Sequence, residues 1–200
     1  MNNQWDERYS ASEYMYGTEP NDFLREEYHR IRPGGKVLCL ADGEGRNGVF
    51  LAQQGFDVTS VDASQVGLEK ALALAKANDV MISTVHADLA DYDLGVDQWD
   101  AVVSIFCHLP PDLRSRVHNA VTSSLRMDGV VILEAYTVDQ LSFKTGGPPV
   151  AALMMSAQQL RHDFEALNVI VCDEWTRMIH EGALHNGQSA VVQFVAQRNR

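Results

Sequence analysis

The feature that most constrains this chain is a regular alternation from residue 36 onward, in which strand-like runs are separated by helix-forming stretches. Residues 36–40, 56–61, 81–86, 101–107 and 130–136 read as strands, and Val37-Leu38-Cys39-Leu40 is typical of the more apolar ones. Residues 48–54 fit a short helix stopped by Gly55, and residues 66–77 are rich in Leu, Ala, Lys and Glu. Residues 110–127 carry Leu113, Val117, Val121 and Leu125 at four-residue spacing, with Asp128-Gly129 as the stop. Strands this apolar must be covered on both faces, which predicts a largely parallel sheet wound with helices on each side. Right-handed crossovers then bring the loops after the strands to one edge, and chemistry is expected there.

The remainder breaks the alternation. Thr145-Gly146-Gly147-Pro148-Pro149 is a loop, and Ser156-Ala157-Gln158-Gln159 has capping-box spacing for a helix that turns Leu160, Phe164 and Leu167 inward. Two strands close the chain, residues 168–172 (extending toward 178) and 189–196, with residues 179–188 and their Gly182 and Gly187 as the connecting loop. Upstream lie a helix over 23–31 and an aromatic-rich arm over 5–20. The prediction is an α/β, doubly wound, seven-stranded, mostly parallel sheet with a C-terminal antiparallel pair and helices on both faces. One domain is expected over residues 1–200, with 1–32 as arm and lid and 33–200 as core.

The first strand runs into Gly43-Glu44-Gly45-Arg46-Asn47-Gly48, which fits G-x-G-x-x-G. Glycine lets a loop turn sharply and a ligand approach its backbone, while the following helix aims unpaired N–H groups at the loop. Asp62 ends the second strand, where a carboxylate can accept hydrogen bonds from both hydroxyls of a ribose. Asp88 follows the third strand, beside the same edge. A dinucleotide site would need a second βαβαβ half, and the chain after residue 136 turns instead to a helix and two strands. An adenosyl compound without a second nucleotide fits better.

At these residues the chain resembles the Rossmann-like, class I S-adenosylmethionine-dependent methyltransferases, and within them the small bacterial enzymes related to the tellurite-resistance methyltransferase. The resemblance rests on LADGEGRN from Leu40, VTSVDAS from Val58, ADL from Ala87, SIFCHL from Ser104, LRMDGVVILEAY from Leu125 and the arm from Trp5 to Leu24. It implies S-adenosyl-L-methionine as cofactor, S-adenosyl-L-homocysteine as product, and a small-molecule acceptor such as a thiol or a tellurium or selenium oxyanion. It further implies that Asp42, Gly43, Glu44, Gly45, Asn47, Asp62, Ala63, Asp88, Leu89 and Phe106 hold the cofactor. His108, after the fourth strand, is the first candidate for a catalytic group, with bonding to nearby backbone as the alternative. Trp5, Tyr14, Tyr16, Arg177 and His185 are expected at the acceptor or in the lid. The family's usual acid two residues before its first loop glycine is Cys39 here, and Ala41 replaces that glycine; Asp42 is the substitute charge.

Other chemistries fit less well. The net charge is −11, from sixteen basic and twenty-seven acidic residues, and the densest basic set, Arg114, Arg116 and Arg126, is strung along one expected helix; nucleic acid is not expected as a partner. His180 and His185 are five apart around Gly182, not the four of H-E-x-x-H, and no metal is expected. Cys107 and His108 are adjacent and point opposite ways on a strand. His108-Leu109-Pro110-Pro111 is not the D/N-P-P-Y/F signature of base methylation. Three scattered cysteines, no basic-then-apolar opening and no run near 20 apolar residues lead us to expect a cytoplasmic protein off the membrane, as a monomer or weak dimer. A nicotinamide-dependent oxidoreductase and a non-catalytic S-adenosylmethionine-binding module stay open as alternatives.

Overall fold

The computed structural model describes residues 4–199; residues 1–3, at the head of the expected arm, and Arg200 lie outside the described residues. The strands are β1 (Lys36–Leu40), β2 (Asp57–Asp62), β3 (Ser83–His86), β4 (Trp99–Ile105), β5 (Leu125–Tyr136), β6 (Asn168–Glu181) and β7 (His185–Gln197). They form one sheet in the order β3-β2-β1-β4-β5-β7-β6. β1 to β5 pair in parallel, while β7 runs antiparallel to both of its neighbours. The helices are α1 (Gln4–Tyr9), α2 (Asp22–Glu27), α3 (Arg46–Gln53), α4 (Gln65–Ala77), α5 (Pro111–Ser124) and α6 (Ala157–Asp163).

Alternation along each strand builds two cores. Leu38 and Leu40 pack with Val102, the α5 residues Val117 and Val121, and Phe164. Val37 and Cys39 pack on the opposite face with Phe23, Leu24, Leu51 and Val103. A fully buried Val, Leu or Phe contributes about 1.5–3 kcal/mol, so both faces of the central strands hold the sheet in register. This edge-on arrangement gathers the ends of β1, β2, β3 and β4.

Two boundaries differ from the sequence reading. The helix expected over 110–127 ends at Ser124, because Leu125 is fully buried and pairs with Trp99 in β5. Asp128, at φ 63, makes a turn within the irregular start of that strand and not a helix stop. Arg126 therefore leaves the expected basic string and pairs with Asp100, while buried Arg114 donates to the carbonyls of Ala152 and Met154. The loop expected over 179–188 is mostly strand: Ile179 pairs with Gly187, His180 with Asn186 and Glu181 with His185. Ile179 is fully buried, which outweighs the glycine signal, and Gly182 at φ 68 serves the short turn between the strands.

The arm is fixed by polar contacts to the sheet. Asn21 caps α2 through Leu24 N–H and donates its own amide to Glu134 and Glu181. Glu134, fully buried, also accepts from Arg177 and Gln193, and Glu181 accepts from Arg46 at 2.6 Å. Every charge in this network is paired, which is the condition for burying charge at tolerable cost. Among the described residues, no helix is long and apolar enough to cross a membrane.

Candidate active site

One cavity of about 1430 Å³ opens where the strand ends meet. Its floor carries Asp42, Gly43, Asp62, Ala63, Asp88 and Leu89 from the loops after β1, β2 and β3, then Phe106 and His108 after β4. Ligand pockets for drug-sized molecules run to about 300–1000 Å³, so this one has room for two small molecules side by side.

Asp62 is the best-held acid. Its two carboxylate oxygens accept the N–H groups of Gly43 at 2.8 Å and Ser64 at 2.7 Å, and each keeps a lone pair for a further donor. Burial raises its pKa, against the pull of those two N–H groups. Gly43, at φ 56, lies under the arm: a Cβ there would meet the Tyr9 hydroxyl at 2.6 Å. Asp88 is exposed, with one oxygen accepting Ala90 N–H at 2.8 Å and the other free for a ligand.

Asp42 and Cys39 do not share a task. Cys39 is sealed in the core at 1% exposure, and burial drives its thiol well above the ordinary range. Asp42 instead turns back between β2 and α3, where its Oδ2 accepts from Ser60 Oγ at 2.6 Å and Gly48 N at 3.2 Å. The third loop glycine makes that possible, since a Cβ on Gly48 would sit 2.5 Å from both Asp42 Oδ2 and Ser60 Oγ. Oδ1 of Asp42 has no partner among the described residues, and the residue lines the cavity. Burial, with Asp62 nearby adding to it and Ser60 opposing, lifts this carboxyl to about 7. Ala41 stands at φ 49, in the left-handed region that favours glycine.

The other expected cofactor residues divide. Glu44 accepts Met15 N–H at 2.8 Å and pairs with Lys70, and Asn47 accepts Asn21 N–H at 3.0 Å, so both face the cavity while tying down the arm. Gly45 lies outside the cavity; at φ 86, with a Cβ position 2.5 Å from Ala71, its role is close packing of α3 on α4. Phe106, at the strained φ of 53, stacks on Tyr136 at 4.5 Å between ring centroids and meets His185 edge-on at 4.8 Å.

His108 corrects the catalytic expectation. Its Nδ1 faces the Leu153 carbonyl at 2.8 Å, and Tyr136 N–H donates to its Nε2 at 3.3 Å. A carbonyl can only accept and an N–H can only donate, so the ring is neutral with its proton on Nδ1. Burial pushes its pKa down to about 4, the Leu153 bond opposing and His185 and Arg114 adding to the drop. With both nitrogens committed to backbone, His108 has none to offer a substrate.

Of the residues expected at the acceptor or lid, Trp5, Tyr16 and His185 line the cavity, whereas Tyr14 and Arg177 do not. Tyr14 bonds the Lys70 carbonyl on α4, and Arg177 belongs to the Glu134 network. The sequence reading missed Tyr9, Arg8 and the roof formed by Gln140, Leu141, Lys144 and the Gly146–Pro149 loop. Tyr9 stood in the aromatic arm and Gly146-Gly147 in the marked loop, so the signals existed but nothing local tied them to the site.

Comparison with known proteins now bears on this geometry. Residues 37–129, from β1 into β5, match the family model described as methyltransferase domain. The sequence match is thus to a methyltransferase domain, over a little under half of the chain. A glycine/sarcosine N-methyltransferase of Aphanothece halophytica is 34% identical over 109 residues, covering 52% of this chain and 41% of the relative. This chain thus spans less than half the length of that protein. The fold of the methyltransferase domain is shared across almost the whole chain with two solved structures. One, reported for conversion of a disulfide bond into a thioacetal group during echinomycin biosynthesis, has a TM-score of 0.78 at 19% identity and covers 98% of this chain and 91% of that one. TehB from Haemophilus influenzae gives 0.73 at 18% identity, with 98% and 66% covered.

Proposed function

We propose that this methyltransferase domain binds S-adenosyl-L-methionine along the β1–β3 side of the cavity and transfers its methyl group in line to a small-molecule acceptor on the other side. The observation that carries the reading is the convergence of Asp42, Gly43, Asp62 and Asp88 on one floor beside space for a second molecule. The residues present fit the cofactor: Asp62 keeps lone pairs for two ribose hydroxyls, Asp42 offers an unpartnered oxygen to an ammonium group, and Ala63, Asp88 and Leu89 border the place for adenine. When bound, the cofactor supplies an electrophilic methyl on a sulfonium. The chain's part is to orient, to exclude water and to shape the pocket, and orientation can supply about 7–11 kcal/mol of a barrier.

The acceptor we assign is a thiol or a tellurium or selenium oxyanion, nucleophiles that react once ionised. Residues 4–32 act as the arm over the cofactor loop: Tyr9 covers Gly43, and Met15 is held by both Glu44 and Ala183. The nicotinamide reading is disfavoured because β5 is followed by the antiparallel β7 and β6 in place of a second nucleotide half. The test is turnover to S-adenosylhomocysteine across thiols, tellurite, selenite, phenols and amines, with thermal shift by NADH as counter-ligand. Turnover of at least one small acceptor is expected; binding without turnover would leave only a binding module, and stabilisation by NADH alone would overturn the reading.

A further inference from the structure

His185 sits where the arm, the sheet and the hairpin meet. It opens β7 opposite Glu181, the last residue of β6, and its side chain lines the cavity. Tyr16 lies 4.5 Å from its ring, Phe106 4.8 Å and Tyr136 5.4 Å between centroids, so the ring is clamped on three sides. The two nitrogens differ. Nδ1 is buried without a hydrogen-bond partner, 3.9 Å from Glu181 Oε2, while Nε2 has no partner among the described residues and is not sealed from the cavity. Glu181 is itself fixed, by Arg46 on Oε2 and Asn21 on Oε1. An imidazole with a carboxylate behind one nitrogen and a reaction cavity before the other is the arrangement of a base and its orienting group. Catalytic hydrogen bonds are often long before substrate binds, and His185 Nδ1 already faces Glu181 Oε2 at 3.9 Å.

We propose that His185, oriented by Glu181, is the base that takes the proton from the methyl acceptor, which commits the acceptor to a thiol protonated at neutral pH. The proposal rests on the methyl-transfer reading above and deepens it. The S–H bond breaks with its electron pair kept on sulfur, and the proton goes to His185 Nε2. The thiolate pair then forms the new bond to the methyl carbon as the sulfonium–methyl pair stays with the departing thioether, and Nε2 later returns its proton to solvent. The charged and titratable groups around the ring are Glu181 from β6, Arg46 from α3, Arg8 and Tyr16 from the arm, Tyr136 from β5 and His108 after β4. Burial pushes the imidazole pKa down, Glu181 opposes, and Arg46 and Arg8 add to the drop, which favours the neutral ring, the form that accepts a proton.

Two experiments test this. Nitrogen-detected NMR of the ligand-free protein at pH 7 should find His185 neutral, with its proton on Nδ1 and Nε2 bare; a proton on Nε2, or an imidazolium, overturns the proposal. With N-acetylcysteinamide, a blocked-cysteine thiol ionised to about one part in 100 two units below a pKa of about 8.5, His185→Gln should be about 100-fold slower at pH 6.5 and within about threefold of wild type at pH 9.5. S-adenosylhomocysteine affinity of His185→Gln should match wild type by calorimetry. An equal deficit at both pH values, or wild-type turnover confined to acceptors with no proton to lose, overturns the base. Failure of the wild type to bind S-adenosylhomocysteine would instead overturn the methyl-transfer reading itself.

Discussion

The two halves of the cavity are built by different means. The floor comes from consecutive strand ends, and its acids are pinned by neighbouring backbone: Asp62 by Gly43 and Ser64, Asp42 by Gly48 and Ser60. The far half is gathered from the arm, the roof over residues 138–150 and the hairpin turn, pieces distant in sequence that meet around Tyr16, His185, Leu153 and Lys144. Rigid strand ends suit a ligand that is always the same, and loops suit one that varies between relatives. Even the two histidines divide along this line, one locked to backbone through both nitrogens and the other with a nitrogen open.

The comparison can be broken most severely at Asp62. Two charge-assisted bonds of about 1.5–3 kcal/mol each are at stake, so Asp62→Ala should weaken S-adenosylhomocysteine binding about 100-fold or more by calorimetry. Next in size, Gly45→Ala forces a side chain into the left-handed region and against Ala71, and should cost about 2–4 kcal/mol in denaturant unfolding. His108→Ala strands the Tyr136 N–H and the Leu153 carbonyl, and should cost about 1–3 kcal/mol at pH 7. The pKa of His108 falls from 6.5 to about 4 on folding, so its stabilisation is complete above pH 6.5 and lost as pH falls toward 4; the variant should flatten that stretch of the stability curve.

A subtler distinction concerns Asp42. Its carboxyl stands at about 7 without ligand, and an ammonium beside it favours the ionised form. S-adenosylhomocysteine affinity should therefore rise by up to about tenfold per pH unit from pH 5 to pH 7 and level off above, and Asp42→Asn should remove the slope. Smallest of all, Lys144→Ala in the roof should shift S-adenosylhomocysteine affinity less than about twofold, because an exposed ammonium contributes little across solvent. A large loss there would merge the two halves into one site.

The floor was legible in the sequence because its information is local: a strand, a glycine loop and an acid at the next strand end lie within a few tens of residues. Cys39 and Asp42 show the limit of that legibility. Spacing marked both as departures, but only the side-chain course, with Gly48 leaving room for Asp42 to reach Ser60, showed which of them is polar machinery and which is core. His108 failed for a related reason, since its partners Leu153 and Tyr136 lie 45 and 28 residues away and no local pattern announces them. The hairpin was read as a loop because Gly182 and Gly187 look like breakers, whereas burial of Ile179 and pairing with β7 override them.

The most direct test of the central claim is a crystal structure with S-adenosylhomocysteine bound. The ribose hydroxyls should lie within hydrogen-bond distance of Asp62, the amino group beside Asp42, and the sulfur should face Phe106 with open space toward His185. A ligand whose ribose meets neither Asp62 nor the Gly43 loop would contradict the account.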